Sequence, residues 1–158
     1  MCTNIFLNNK LDRTSSQNVF ESLLKTEQWE TLLKLFSLNI ISSNIKDCRG
    51  RNALYFAILN KKYEYFKPLL DLKVDSQVSC HLNAINFAVC LDDTRAIEIL
   101  LRCGLDINTL DEIGCSALLY SILYNKKRSM DFLIKNHADM EIEDFMGNCA
   151  KELLKNRI

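Results

Sequence analysis

A short apolar phrase returns along this chain at near-constant spacing, so any fold that contains it has to be modular. It reads Asn52-Ala53-Leu54, Asn83-Ala84-Ile85 and Ser116-Ala117-Leu118, at offsets of 31 and 33 residues. A second match trails each one as Leu69-Leu70, Leu100-Leu101 and Leu133-Ile134. Two units then close on Leu105-Asp106-Ile107-Asn108 and Ala138-Asp139-Met140-Glu141. A period of about 33 residues with two apolar segments is the pattern of stacked helix pairs, none of which buries its apolar face alone. Such a stack offers an extended surface to a partner more readily than a pocket for chemistry.

Local chemistry supports the same modules. Asn or Ser at positions 52, 83 and 116 caps a helix by accepting from its free N–H groups. Ala53, Ala84 and Ala117 let neighbouring helices approach closely. Asp47 and Asp111 each have a glycine three residues on, the composition of a tight turn that needs a positive φ. Gly104 follows a Leu-Leu run and suits a left-handed helix end.

Laid on this repeat, the chain resembles the ankyrin-repeat family, whose unit opens Asp-x-x-Gly-x-Thr-Pro-Leu-His-x-Ala and closes Leu-Leu-x-x-Gly-Ala-Asp-Val-Asn. The residues that carry the resemblance are Asp47-Cys48-Arg49-Gly50-Arg51-Asn52-Ala53-Leu54-Tyr55-Phe56-Ala57 and Asp111-Glu112-Ile113-Gly114-Cys115-Ser116-Ala117-Leu118. A further opening, Asp144-Phe145-Met146-Gly147-Asn148-Cys149-Ala150, and the closing Leu100–Asn108 add to it. The resemblance implies an all-α ankyrin-repeat solenoid of helix-turn-helix units joined by β-turn fingers, with degenerate caps at both ends. The units fall at 15–46 (a capping repeat), 47–77, 78–110, 111–143 and 144–158 (a truncated cap), after a loose tail at 1–14. The Thr-Pro pair is missing throughout, and Lys73 and His137 replace two closing glycines. The unit at 78–110 starts Val78-Ser79-Cys80-His81 without Asp or Gly, and the unit before it is two residues short. An irregular or clipped loop is therefore expected at 75–81. Pro68 should kink its helix unless it sits in the first turn. Upstream, Ser15-Ser16-Gln17-Asn18 introduces one helix, and 28–38 forms a second.

Composition narrows the partners. The 20 basic and 20 acidic residues cancel, which argues against nucleic acid or an anionic membrane as the main partner. No stretch approaches the roughly 20 apolar residues of a membrane helix. The opening Met1–Asn9 has too short an apolar core for a signal peptide. Seven scattered cysteines without a C-x-x-C pair fit neither a disulfide framework nor a zinc site, and read as apolar fillers in a reducing compartment, the cytoplasm or the nucleus. Nothing in the chain calls for a cofactor or a metal. Four glycines supply no phosphate loop, and His81 and His137 both occupy turn positions of the repeat, so no catalytic role is expected.

By the resemblance, the fingers and first helices line a concave face, with variable positions that here include Cys48, Arg49, Arg51, Leu59, Asn60, Ser79, Cys80, Leu82, Cys90 and Leu91. Further along come Glu112, Ile113, Cys115, Leu123, Tyr124, Phe145, Met146 and Asn148. The candidate partner-binding set is Arg49, Arg51, Leu82, Leu91, Ile113, Leu123, Tyr124, Phe145 and Met146, apolar at many places where a solvent-facing position should be polar. The other reading is that some of these residues fill space between repeats. Lys61-Lys62 and Lys126-Lys127-Arg128 make two basic turns, with Asp92-Asp93 in the same place between them; solubility and helix ends account for them, or an acidic partner edge does. The resemblance implies a non-enzymatic regulator that joins a folded protein in a heteromeric complex. Size and layout are similar to small ankyrin cell-cycle regulators, including inhibitors of cyclin-dependent kinases, hence a kinase partner. The alternatives are an NF-κB-inhibitor-like protein that holds a Rel-family factor, or a client-escorting chaperone or effector.

Overall fold

Each residue that opens the repeated phrase closes off the start of a helix. The Oδ1 of Asn52 accepts from the Tyr55 amide at 3.1 Å, that of Asn83 from the Asn86 amide at 2.8 Å, and Ser116 Oγ from the Leu119 amide at 3.3 Å. Each cap is extended, which turns the chain out of the preceding finger and into the helix. The computed structural model describes residues 11–155. These caps begin α3 (Ala53–Leu59), α5 (Ala84–Cys90) and α7 (Ala117–Leu123). Antiparallel partners follow as α4 (Phe66–Asp71), α6 (Thr94–Arg102) and α8 (Lys127–Lys135). An N-terminal pair, α1 (Arg13–Lys25) and α2 (Trp29–Ser37), and a last short helix, α9 (Ala150–Lys155), complete the stack.

The helices form two layers. The first helices pack in succession, α3 on α5, α5 on α7 and α7 on α9, while α4, α6 and α8 stack behind them. Ala53, Ala84, Ala117 and Ala150 are all buried, so the close approach expected of a small side chain recurs at every first helix. Leu54, Ile85 and Leu118, together with Leu69, Leu100 and Leu133, fill the space between the layers. The fold is an all-α repeat stack. Its only β pairing among the described residues is two isolated bridges, Gln77 with Asn83 and Glu143 with Cys149.

Left-handed residues punctuate each unit at both helix ends. Glu27, Lys61, Asp92 and Asn125 take φ near 53° between the paired helices. Asn39, Lys73, Gly104 and His137 are at positive φ, from 52° to 93°, after the second helix. Lys73 and His137 thus keep the conformation of the glycine they replace, at φ 63° and 60°. Pro68 is the third residue of α4, inside its first turn, where a missing N–H costs no helical bond. A 3-10 turn at Tyr63–Tyr65 leads into it, so the helix is delayed rather than kinked.

Two boundaries differ from the sequence reading. Asp12, not the serine run, caps α1, through Oδ1 to the Ser15 amide at 2.9 Å, so the helix starts at Arg13 and not after 15. Residues 1–10 of the expected tail lie outside the described residues. The shortening near 75–81 falls before the finger. Val78 still pairs its amide with the Leu82 carbonyl at 3.0 Å, as Asp47 does with Arg51 at 2.9 Å, so the missing residues come out of the stretch between Lys73 and Val78.

Candidate partner-binding surface

Three of the four fingers share one design. An aspartate Oδ1 gathers two amides, Arg49 and Arg51 on Asp47, Ile113 and Cys115 on Asp111, Met146 and Asn148 on Asp144, all at 2.8–3.1 Å. The glycine at the turn then donates to the aspartate carbonyl at 3.0 Å. Val78 cannot do this, so the second finger is held differently: Ser79 Oγ accepts from the Leu82 amide at 3.3 Å. Neighbouring fingers lie against each other through their glycines. A Cβ on Gly50 would meet Cys80 Sγ at 2.6 Å, and one on Gly114 would meet the Phe145 ring at the same distance.

Rigid fingers leave the variable side chains free. Phe145 and Met146 are 78% and 86% exposed, and Ile113 is exposed on the finger before them. Leu91, Leu123 and Tyr124 are exposed at the ends of α5 and α7, and the Tyr124 ring stacks on Tyr120 at 5.4 Å. Arg49 is exposed at the tip of the first finger. Two expected members differ. Leu82 is half-buried and packs on the core, so it belongs to the seam between repeats rather than to an open strip. Arg51 is half-buried, with Nη2 2.6 Å from Asp47 and its guanidinium over Tyr55 and Phe56 at 5.2 and 4.8 Å. Burial pushes Asp47 upward, but the hydrogen bonds from Arg51 and from the finger amides outweigh it and hold its carboxyl below the usual range.

A groove opens at the other end of the face, between α1 and the first finger. Glu21, Leu24 and Lys25 line it on one side, Cys48, Arg49 and Arg51 on another, and Phe56, Leu59 and Asn60 at its back.

No family model matches the chain. Among curated proteins, it is 26% identical over 123 residues to a putative ankyrin repeat protein of Acanthamoeba polyphaga mimivirus, an alignment that covers 72% of this chain and 16% of that protein. The repeated phrase, the paired helices and the aspartate-pinned fingers coincide with that likeness. The chain is similar to ankyrin-repeat proteins in sequence and in fold. It is also 28% identical over 97 residues to the potassium channel AKT2/3 of Arabidopsis thaliana (61% of this chain, 12% of that one). A third relative is an interferon antagonist of vaccinia virus, 28% identical over 91 residues (58% and 32%). The chain thus spans between about an eighth and a third of the length of the relatives it matches. Likeness to ankyrin repeat proteins implies a protein-interaction module.

The edge of the ankyrin stack opposite the fingers explains the charged turns. Lys62 Nζ reaches Glu27 of the preceding unit at 2.8 Å, and Tyr63 OH donates to Asp93 of the next at 2.8 Å. Asp92 Oδ1 accepts from the Ser129 amide and hydroxyl at 2.9 and 2.7 Å, while its Oδ2 and carbonyl take Arg128. Lys62 and Arg128 each pair with the acidic turn of the unit before, which adds a structural role to the solubility, helix-end and acidic-partner readings of these turns. Burial and the bond to Asp93 together push the Tyr63 hydroxyl up to about 12.

Lys25, Leu24 and Glu21 line a candidate groove that sequence reasoning missed. Counting back from the left-handed Glu27, Lys25 occupies the place that Leu59 holds before Lys61, so the variable-position rule would have found it had it been carried into the capping repeat. The cysteines and histidines stay apart chemically. Cys80 Sγ lies 3.8 Å from the Arg49 carbonyl, and His81 Nδ1 lies 3.6 Å from Glu112. No group of three or more His, Cys, Asp or Glu side chains gathers as a metal site among the described residues. None of the described helices is long and apolar enough to cross a membrane.

Proposed function

We propose that the chain is a protein-binding regulator that seats a folded partner against the fingers and first-helix ends of its C-terminal units. The observation that supports it is the pair Phe145 and Met146, 78% and 86% exposed on a turn pinned by Asp144. Aromatic and methionine side chains on a rigid support are the usual anchors of an interface. Leu91, Ile113, Leu123 and Tyr124 extend the apolar surface along the same face. A preformed surface binds with little rearrangement, and acts by blocking a site on the partner or by shifting its conformational equilibrium.

The partner is first isolated by affinity purification from native cells with mass spectrometry. Charged substitution of Leu91, Tyr124 and Phe145 together should then weaken capture by about a hundredfold, in line with the loss of two or more interface anchors, and leave the helical circular dichroism unchanged. Undiminished capture by a folded triple variant sinks the assignment.

The identity of the partner follows two lines. The repeat layout, similar to that of small ankyrin cell-cycle regulators, is the support for a cell-cycle protein kinase complex, with a Rel-family factor as the alternative; either would act in the cytoplasm or nucleus. The likeness to a protein named an interferon antagonist supports a second reading, in which the target is a component of interferon signalling. An interferon-driven reporter separates them: repression by the chain, lost in the triple variant, supports the second reading, and an unchanged reporter removes it.

A further inference from the structure

The groove between α1 and the first finger combines an apolar floor with charges that do not cancel. Leu24, Phe56 and Leu59 supply the apolar surface, and Leu59 is 41% exposed. Three cations and two carboxylates line it: Lys25, Arg49 and Arg51 against Glu21 and Asp47. Asp47 and Arg51 neutralise each other at 2.6 Å, and the Arg51 guanidinium is further occupied by the rings of Tyr55 and Phe56. Arg51 is therefore a wall of the groove and not a free charge. Among the described residues Lys25 and Arg49 have no ion-pair partner, and only Glu21 stands against them. Arg49 also rises from a finger whose backbone is fixed, since its own amide is held by Asp47 Oδ1 at 3.0 Å. A cation on a rigid stem costs little ordering when it meets an anion.

We propose that this groove docks a short acidic–apolar segment of a partner protein, with an apolar side chain on Leu24, Phe56 and Leu59 and flanking carboxylates on Arg49 and Lys25. Charge complementarity selects the occupant. A basic segment would meet two unpaired cations, and a purely polar one would leave the floor wet. An apolar segment without carboxylates would bury the edge of two charges unpaired, which is costly. The groove belongs to the first two units and the Phe145–Met146 surface, with Leu91, to the last three, so the two sites stand or fall separately.

Cys48 provides the readout, because it is an exposed thiol that lines the groove. The full chain is alkylated with iodoacetamide and mapped by mass spectrometry, with and without capped pentapeptide pools. One pool carries Asp or Glu at positions one, two and five and Leu or Phe at three and four. A second replaces the acids by Lys and Arg, and a third keeps the acids and replaces the apolar pair by Ser and Gln. The acidic–apolar pool should slow Cys48 modification by about tenfold at low salt and leave Cys103, at the end of α6, unaffected. Raising salt to about 0.5 M should remove most of that protection. The double variant K25E/R49E, with parental circular dichroism, should lose it and gain protection from the basic pool. Equal protection by all pools, none by the acidic–apolar pool, or full protection of the double variant overturns the proposal. Equal protection by inorganic phosphate or a short single-stranded oligonucleotide also overturns it, because the site would then read anions rather than a protein segment. K25E/R49E leaves Leu91, Tyr124 and Phe145 untouched, so failure here is distinguishable from failure of the C-terminal site.

Discussion

Replacing Asp92 by alanine removes a cap from a helix that does not carry its own. Lys126 stands at the N-terminus of α8 with no side-chain bond to it, and Asp92 of the preceding unit reaches across to the Ser129 amide at 2.9 Å. Loss of a cap costs about 1 kcal/mol. The same oxygen accepts from the hydroxyl of Ser129, a wholly buried residue, and a buried hydroxyl left without its acceptor costs about 1–3 kcal/mol. Asp92 is also left-handed, at φ 52°, a conformation that aspartate tolerates better than alanine by up to about 1 kcal/mol. The Arg128 pair adds little, since that side chain is mostly exposed. Asp92→Ala should therefore lose about 3 kcal/mol, a large share of the roughly 5–15 kcal/mol that holds a domain together. With a urea slope of about 2 kcal/mol/M, the midpoint falls by about 1.5 M.

Two companion variants make the reasoning refutable. Asp92→Asn keeps an acceptor and the left-handed tolerance, and should lose less than half as much. Asp92→Gly loses the acceptor and escapes the backbone penalty, so it should fall between the two. A loss below about 0.5 kcal/mol for alanine, or asparagine as damaging as alanine, refutes the cap. The damage should also be local, because a solenoid is coupled through nearest neighbours. Amide exchange in α8 should accelerate before exchange in α3 and α4 does. Burial pushes the Asp92 carboxyl upward, but the bonds from Ser129 and Arg128 outweigh it and hold it below the usual range. Its contribution is complete above the unfolded-state value of about 3.9 and is lost as pH falls through the lower folded value. The gap between parent and Asp92→Ala should narrow only in that acid window.

Lys73→Gly and His137→Gly should each stabilise the chain by a few tenths to about 1 kcal/mol, since glycine reaches their φ of 63° and 60° without strain, less its greater freedom when unfolded; a lower urea midpoint for either refutes this. Cys115 should resist alkylation at pH 8 in the native state while Cys48 and Cys80 react, because burial first, and then the carboxylates of Asp111 and Asp144, push its thiol up to about 12. Mass mapping with equal native rates at all three thiols overturns that burial.

What was legible in the sequence was whatever a residue does for its own unit. Asn52, Asn83 and Ser116 bond to amides three residues on, and Ala84 is small because its own helix must be approached, so a period and a cap rule suffice. The inter-repeat staples were not legible, though their letters were in view. Glu27, Lys62, Asp92 and Arg128 alternate in sign at or just after the turn between paired helices, yet each partner lies 35 or 36 residues away, which no local rule pairs. Leu82 was misread for a related reason: its half-burial comes from packing against the core, which its own unit does not reveal. The groove escaped because α1 keeps the helical spacing but not the phrase, which hid that Lys25 and Leu59 hold equivalent places.

The fingers separate shape from chemistry, and that separation decides how variants should be interpreted. Asp47, Asp111 and Asp144 make the same bonds to the amides two and four residues on, so the loop has one shape whatever stands at its tip. The tips are then free to differ, and they do: Arg49 on the first finger, Ile113 on the third, Phe145 and Met146 on the fourth. Loss of a hub aspartate strips a finger of two amide bonds and moves its tip, so stability and partner affinity fall together. Loss of a tip such as Arg49 or Met146 changes affinity more than stability, because a mostly exposed side chain holds little in the free chain; Phe145, which lies against Gly114, also supports the finger before it. The second finger is the exception that tests the rule. Val78 supplies no hub, and its shape depends instead on Ser79 and on Cys80 lying against Gly50. Its tip is therefore part of its own support, and Cys80 cannot vary for a partner without disturbing the finger before it. On the proposed reading, recognition falls mainly to the hub-pinned fingers, with the groove beside the first and the Phe145–Met146 tip on the fourth.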